Sequence, residues 1–233
     1  MSQTVRCGLI QCSNVINDES RPVAEIQQAM LDKHIPFIEE AAAKGVQILC
    51  LQEIFNGPYF CPSQDARWYD AAEPVPGPMV RRFAAKARET DMYIIFGMVE
   101  RPRNGRRIYN TAFLVGAREG YMGRFRKVLS EKVFTDGTEA PVFDTRYGKI
   151  GIFICADMRS PELSRLLALK GARVLFQPTN YFYKDGIDIK RHYMGKNAAQ
   201  RARAMDNGVH LVIANAGRPE YVNDSRILAP NSQ

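Results

Sequence analysis

The chain has 233 residues, 45% hydrophobic and 24% charged, the balance of a soluble globular protein long enough to bury a substantial core. Its 32 basic and 25 acidic residues give a formal charge of +7, but the basic residues are dispersed rather than striped, which argues against a nucleic-acid partner. No apolar run approaches the ~18–20 residues that cross a bilayer, and Met1-Ser2-Gln3-Thr4-Val5-Arg6 lacks the apolar segment of a signal peptide, so no membrane partner and a cytoplasmic location are expected.

In chain order, Val5 to Cys12 reads as a short apolar strand. Residues 22–44 carry Val23, Ile26, Met30, Ile35, Ile38 and Ala41 at helical spacing. Pro36 is expected to kink or split that helix, and Gly45 to end it. Val46 to Leu51 is a second strand, and strand, long helix, strand implies a crossover unit with layered α/β packing. Glu53 to Pro62, rich in Pro, Gly and aromatics, is a loop, and Pro78 to Thr90 a helix.

Met92 to Val99 and Ile108 to Val115 are strands joined by Arg101-Pro102-Arg103-Asn104-Gly105-Arg106-Arg107, whose Pro and Asn-Gly mark a solvated connection. Tyr121 to Phe125 follows as another strand. Val142 to Thr145 and Lys149 to Ile154 bracket a Tyr147-Gly148 hairpin turn. Ser160-Pro161-Glu162 supplies a capping hydroxyl, a proline at the first helical position and an acid in the first turn of a helix that runs to Lys170. Arg173 to Gln177 is a strand, residues 188–207 a helix, and Val209 to Asn215 a further strand. No internal repeat or linker interrupts the chain, so one domain over 1–233 is expected.

The five cysteines contain no CxxC pair, and the three histidines are scattered, so a zinc site is not expected. Cys7, Cys12 and Cys50 lie in apolar runs and read as small buried hydrophobes. His34 and His210 read as packing residues, and His192 as solvated.

Three residues stand where strands run out into loops, the places where α/β folds carry chemistry. Cys155 follows Ile150-Gly151-Ile152-Phe153-Ile154 and precedes a turn and a capped helix, a setting in which backbone N–H groups and a cation such as Lys127 would favour a thiolate nucleophile over a structural cysteine. Glu53 closes Ile48-Leu49-Cys50-Leu51-Gln52, and two readings stay open: a general base, or an ordinary solvated strand-end carboxylate. Lys127, at the end of Arg124-Phe125-Arg126, reads by itself as part of a solvated basic edge; beside a nucleophile it would stabilise a tetrahedral oxyanion.

Together these sites resemble the nitrilase superfamily of carbon–nitrogen hydrolases, whose catalytic set is Glu, Lys and Cys. Leu49-Cys50-Leu51-Gln52-Glu53-Ile54-Phe55-Asn56-Gly57-Pro58-Tyr59-Phe60-Cys61-Pro62 is similar to the corresponding segment of the N-carbamoyl amino-acid amidohydrolases. Cys155-Ala156-Asp157-Met158-Arg159-Ser160-Pro161-Glu162 resembles the superfamily's nucleophile segment, and residues 201–209 a late helix-to-strand segment. The resemblance implies a four-layer α-β-β-α sandwich of the α/β class and a homodimer or higher homo-oligomer. It implies Cys155 as nucleophile, Glu53 as base, Lys127 as oxyanion cation and Glu131 as a second glutamate. The Ala156 N–H would complete the oxyanion site, with Phe55 and Tyr59 in the pocket. No cofactor or metal is implied.

The chain also departs from that pattern. Lys127 leads through Val128-Leu129-Ser130 straight to Glu131, where the family usually has a longer loop, often with a histidine. Ala156 stands where an aromatic residue is common, which implies a wider pocket, and relatives continue beyond the position of Gln233. The expected reaction is hydrolysis of a small-molecule N-carbamoyl amino acid, such as an N-carbamoyl β-amino acid. The alternatives are another amidase or nitrilase of the same fold, or a catalytically inactive binding or assembly protein, the latter motivated by the short region after Lys127.

Overall fold

The computed structural model describes residues 4–63, 65–103, 105–181, 189–217 and 224–231, without the side chains of 189–193; His192 therefore lies outside the description. Two five-stranded mixed sheets form the centre. The first runs β1 (Cys7–Leu9), β2 (Ile48–Cys50), β3 (Tyr93–Glu100), β4 (Tyr109–Gly116) and β5 (Gly120–Arg126), in that spatial order. β1, β2 and β3 are parallel, and β4 and β5 continue antiparallel. The second comprises β6 (Val142–Thr145), β7 (Gly148–Ile152), β8 (Val174–Pro178), β9 (His210–Ala214) and β10 (Arg226–Leu228), ordered β10-β9-β8-β7-β6, with a parallel centre and antiparallel edges.

Crossovers between the parallel strands are helical: α1 (Val23–Ala43) and α2 (Pro78–Thr90) serve the first sheet, and α3 (Pro161–Leu169) and α4 (Ile189–Asn207) the second. Strand alternation sorts the core into layers. Ile48 and Cys50 of β2, Tyr93 and Ile95 of β3, and Ala112 and Leu114 of β4 join Ile150, Ile152, Leu175 and Leu211 in one cluster between the sheets. Leu49, Ile94, Phe96 and Phe113 turn the other way, onto Leu31 and Ile38 of α1 and Val80, Phe83 and Ala87 of α2. Burial on both faces explains why β3 and β4 are apolar almost throughout. This is the α-β-β-α sandwich.

Two local expectations change, and one strand is unforeseen. α1 runs unbroken through Pro36, because Ile26, Met30, Leu31, His34 and Ile38 bury one face along its length and packing offsets the lost backbone bond. His210 is exposed at the first position of β9, before the strand enters the core. β10 has only three residues, too short to show a period, and pairs antiparallel with β9. The helix start at Ser160 is as read: its Oγ accepts the Leu163 N–H at 3.3 Å and Pro161 is the first helical residue.

Candidate active site

Strands β2, β5 and β7 deliver their C-terminal ends to one place. Glu53 lies three residues past β2, Lys127 directly past β5, and Cys155 three residues past β7. The backbone at Glu53 is clamped against β3, where the Phe55 N–H donates to the Gly97 carbonyl at 3.0 Å. The chain after Lys127 is held on β4, where its own N–H donates to the Asn110 carbonyl at 2.8 Å.

The side chains converge despite the short connection after Lys127. Lys127 Nζ donates to Glu53 Oε1 at 2.5 Å and to Glu131 Oε1 at 2.7 Å. Both Lys127 and Glu53 are wholly buried, so neither is the solvated strand-end group of the sequence reading. Glu53 is held further by Asn110 Nδ2, donating to Oε1 at 2.8 Å, and by the Asn180 N–H, donating to Oε2 at 2.9 Å. Tyr59 Oη donates to Glu131 Oε1 at 2.6 Å, while Glu131 Oε2 is buried with no hydrogen-bond partner among the described residues.

Burial alone would strip the proton from Lys127, but Glu53, Cys155 and Glu131 together hold its ammonium well above the ordinary lysine value. Burial pushes the Glu53 carboxyl up against the pull of Lys127. Glu131 moves down, because Lys127 and Tyr59 outweigh its own desolvation. A buried ammonium between two carboxylates is thereby satisfied, where a lone one would be very costly.

Cys155 opens a 3₁₀ turn, Cys155–Arg159, and has φ +45°, a left-handed conformation rare outside glycine. Its carbonyl is fixed by Gln177 Nε2 at 2.9 Å and Tyr181 Oη at 3.3 Å. Asp157 secures the turn: Oδ2 accepts the Ile154 N–H at 2.9 Å, and Oδ1 accepts the Val128 and Leu129 N–H groups at 3.0 and 2.7 Å. One carboxylate thus ties the cysteine turn to the loop between Lys127 and Glu131. Burial raises Asp157 to about 6, with those backbone donors pulling the other way.

The expected thiolate is not the resting form. Burial, then the charge of Glu53, push the Cys155 thiol up to about 12, and Lys127 offsets only part of this. The thiol therefore needs a base. A cavity of about 490 Å³ has Cys155, Ala156, Tyr59 and Glu131 in its wall, with Asn180, Tyr181 and Lys196. Lys127 and Glu53 lie enclosed behind that surface. Phe55 is not a pocket residue: it turns into the helix-side core, edge-on to His34 at 5.3 Å and Phe83 at 5.1 Å. Among the described residues, no group of three or more His, Cys, Asp or Glu side chains is placed to hold a metal ion, and no helix is long and apolar enough to cross a membrane.

Asn110, Asp157, Gln177, Asn180 and Tyr181 escaped the sequence reading. Asn180 and Tyr181 follow the end of β8, so the strand-end rule that found Glu53, Lys127 and Cys155 points to them too. Asn110 lies near the start of its strand, where that rule is silent.

The chain is similar in sequence and fold to known proteins. The chain is 31% identical to a Xenopus laevis ω-amidase over 212 residues, covering 85% of this chain and 72% of the relative. It is 32% identical to an Arabidopsis thaliana β-ureidopropionase over 187 residues, 76% of this chain but 46% of that longer protein. Among solved structures, Saccharomyces cerevisiae Nit3, a member of the nitrilase superfamily, superposes with a TM-score of 0.82 at 24% identity, over 97% of this chain and 82% of that one. Residues 6–233 match the carbon-nitrogen hydrolase family model, and the chain belongs to that family, within the nitrilase superfamily, as an enzyme that hydrolyses carbon–nitrogen bonds.

Proposed function

We propose that the chain hydrolyses the C–N bond of a linear amide through a Cys155 acyl-enzyme, with an N-carbamoyl amino acid, such as an N-carbamoyl β-amino acid, as the preferred substrate. The observation that carries the mechanism is the Lys127 ammonium shared between Glu53 and Glu131, close enough to Cys155 for all three charges to act on its thiol. Glu53 takes the thiol proton as Sγ attacks the carbonyl carbon. Its raised affinity for protons suits it to that transfer. Lys127 has a third N–H beyond the two used on the carboxylates, and with the Ala156 N–H it stabilises the developing oxyanion. Collapse breaks the C–N bond, and Glu53 returns the proton to the leaving nitrogen. Water, deprotonated by Glu53, then attacks the thioester, and the released sulfur recovers the proton. Glu131 Oε2, without a partner among the described residues, is an acceptor for a substrate N–H.

For an N-carbamoyl amino acid the net products are the amino acid, carbon dioxide and ammonia. A second reading, an amidase acting on a simple carboxamide, is favoured by the similarity to an ω-amidase. An inactive binding or assembly protein is disfavoured by the complete charge network. A homodimer or larger homo-oligomer belongs to the same proposal, with sedimentation at working concentration as its measurement.

The test is a panel of N-carbamoyl amino acids and carboxamides with wild type and Cys155→Ala, reading ammonia and carbon dioxide together. Both gases from wild type and neither from the variant support the preferred substrate. Ammonia alone selects the amidase reading. Equal turnover by the two proteins removes Cys155 from the mechanism.

A further inference from the structure

Lys196 takes no part in the chemistry above, yet α4 brings it into the wall of the cavity that holds Cys155. Its Nζ lies 3.9 Å from the centroid of the Tyr181 ring, and Tyr181 Oη is itself bonded to the Cys155 carbonyl. The ammonium is thus held at a defined place relative to the nucleophile. The nearby carboxylates bond elsewhere: Glu53 to Lys127, Asn110 and Asn180, Asp157 to three backbone N–H groups, and Glu131, in the same cavity wall, through Oε1 to Lys127 and Tyr59. Among the described residues, no carboxylate forms an ion pair with Lys196. Arg159 lines the same cavity and adds a second positive charge. Burial, and then Arg159 and Lys127, favour proton loss from Lys196, against Cys155 and Glu53. An ammonium desolvated with no carboxylate counter-ion among the described residues is an unfavourable arrangement that an anionic ligand would relieve.

The charges in the cavity separate by role. Lys127 is neutralised by two carboxylates at the reacting end, whereas Lys196 and Arg159 make the remaining wall cationic. A volume of about 490 Å³ admits a small amide whose far end reaches that wall. We propose that Lys196 is the specificity-determining residue of this site: it binds a carboxylate at the end of the substrate remote from the scissile C–N bond, and selects anionic amides over uncharged and cationic ones. This rests on the cysteine-hydrolase reading above for its kinetics, but not for its binding.

The experiment compares three ureas of similar size: N-carbamoyl-β-alanine, butylurea and (3-aminopropyl)urea. Wild type is expected to favour them in that order by kcat/KM. Lys196→Met lowers the ratio for N-carbamoyl-β-alanine over butylurea by about tenfold to a hundredfold, through KM, as loss of a charge-assisted contact does. Lys196→Glu inverts the preference between the anionic and cationic ureas. A ratio unchanged within about threefold in both variants overturns the proposal. So does an equal fall in kcat on all three ureas, which would assign Lys196 to the Cys155 thiol instead.

A binding readout separates this proposal from the reaction. Modification of Cys155 by methyl methanethiosulfonate is followed by mass spectrometry, with succinate or 1,4-diaminobutane as protecting ligand. Protection by succinate alone, lost in Lys196→Met, sustains the carboxylate site even if no urea is turned over, an outcome that would sink only the substrate reading. Protection by the diamine, or by neither ligand, overturns the carboxylate site even if amides are hydrolysed. A misfolded variant leaves the wild-type comparison of the two protecting ligands decisive.

Discussion

Glu53 and Gly97 are in such close backbone contact that a Cβ on Gly97 would lie 1.9 Å from the Glu53 carbonyl oxygen. No rotamer relieves such an overlap, because both partners are main chain. Gly97 also accepts the Phe55 N–H, so β3 sets the position of the whole Glu53 segment. Gly97→Ala is expected to displace Glu53 from Lys127 and lower kcat about a hundredfold, the cost of misplacing a reacting group by roughly 1 Å. Steady-state kinetics beside a circular-dichroism melt check this; wild-type kcat in a folded variant would refute it.

The thiol and its base give opposite responses in one variant. Glu53 raises the Cys155 thiol and Lys127 lowers it. Glu53→Gln removes the carboxylate and leaves Lys127 less neutralised, so both changes favour the thiolate. Modification of Cys155 by methyl methanethiosulfonate should therefore become faster at pH 7–8, while amide turnover collapses for want of a base. In wild type, with the thiol at about 12, the modification rate should climb with pH and show no plateau near 9. Peptide mapping of the modified cysteine distinguishes Cys155 from Cys61, which shares the cavity.

His34 links folding to acid. It is wholly buried, its Nδ1–H donates to the Met30 carbonyl at 2.7 Å, and its Nε2 has no hydrogen-bond partner among the described residues. Burial lowers the ring from 6.5 to about 4. The neutral ring is preferred by the folded state, so its contribution is complete above pH 6.5 and is lost as pH falls from 6.5 toward 4, by about 3 kcal/mol in all. Asp157 runs the other way: raised from 3.8 to about 6, it favours the folded state increasingly as pH falls through that interval. Urea midpoints of wild type and His34→Leu between pH 7 and 4 isolate the histidine. The variant should lose less stability on acidification; parallel curves would exclude the linkage.

Much of this site was legible because strands that bury both faces leave a charged residue conspicuous at their ends. Glu53, after the fully buried β2, was visible for that reason; Cys155 stood out instead as a thiol between the buried end of β7 and a capped helix, and Lys127 follows β5, which is only half-buried. The setting of Lys127 was also written in the alternation, though it was read as a basic edge. Arg126 pairs with Glu100 on one side of β5, while Phe125, two residues before Lys127, is fully buried on the other. What stayed hidden depends on partners far along the chain. Asn110 meets Glu53 across 57 residues, Asn180 across 127, and Asp157 reaches back 28 to Leu129. No local pattern encodes such pairings. Phe55 was misplaced for a related reason: it neighbours Glu53 in sequence, but the turn after β2 sends the two side chains to opposite sides of the sheet.

Phe55 and Tyr59, four residues apart, should consequently fail in different ways. Phe55 is enclosed by His34, Phe83 and Phe96 at ring separations of 5.3, 5.1 and 5.9 Å. Phe55→Ala removes a fully buried aromatic side chain and should destabilise the fold by about 3–5 kcal/mol, leaving KM of the molecules that remain folded near wild type. Tyr59 lies in the cavity wall, and its hydroxyl donates to the Glu131 oxygen that also binds Lys127. Tyr59→Phe keeps the ring and loses that bond, so stability should fall by only about 1 kcal/mol. Glu131 would then lose one of the two side-chain donors on its Oε1, and the loss should appear in kcat. Denaturant titration and steady-state kinetics on both variants check the contrast. A kinetic defect in Phe55→Ala without destabilisation would return that ring to the pocket, and an unchanged kcat in Tyr59→Phe would remove Glu131 orientation from the rate-limiting chemistry.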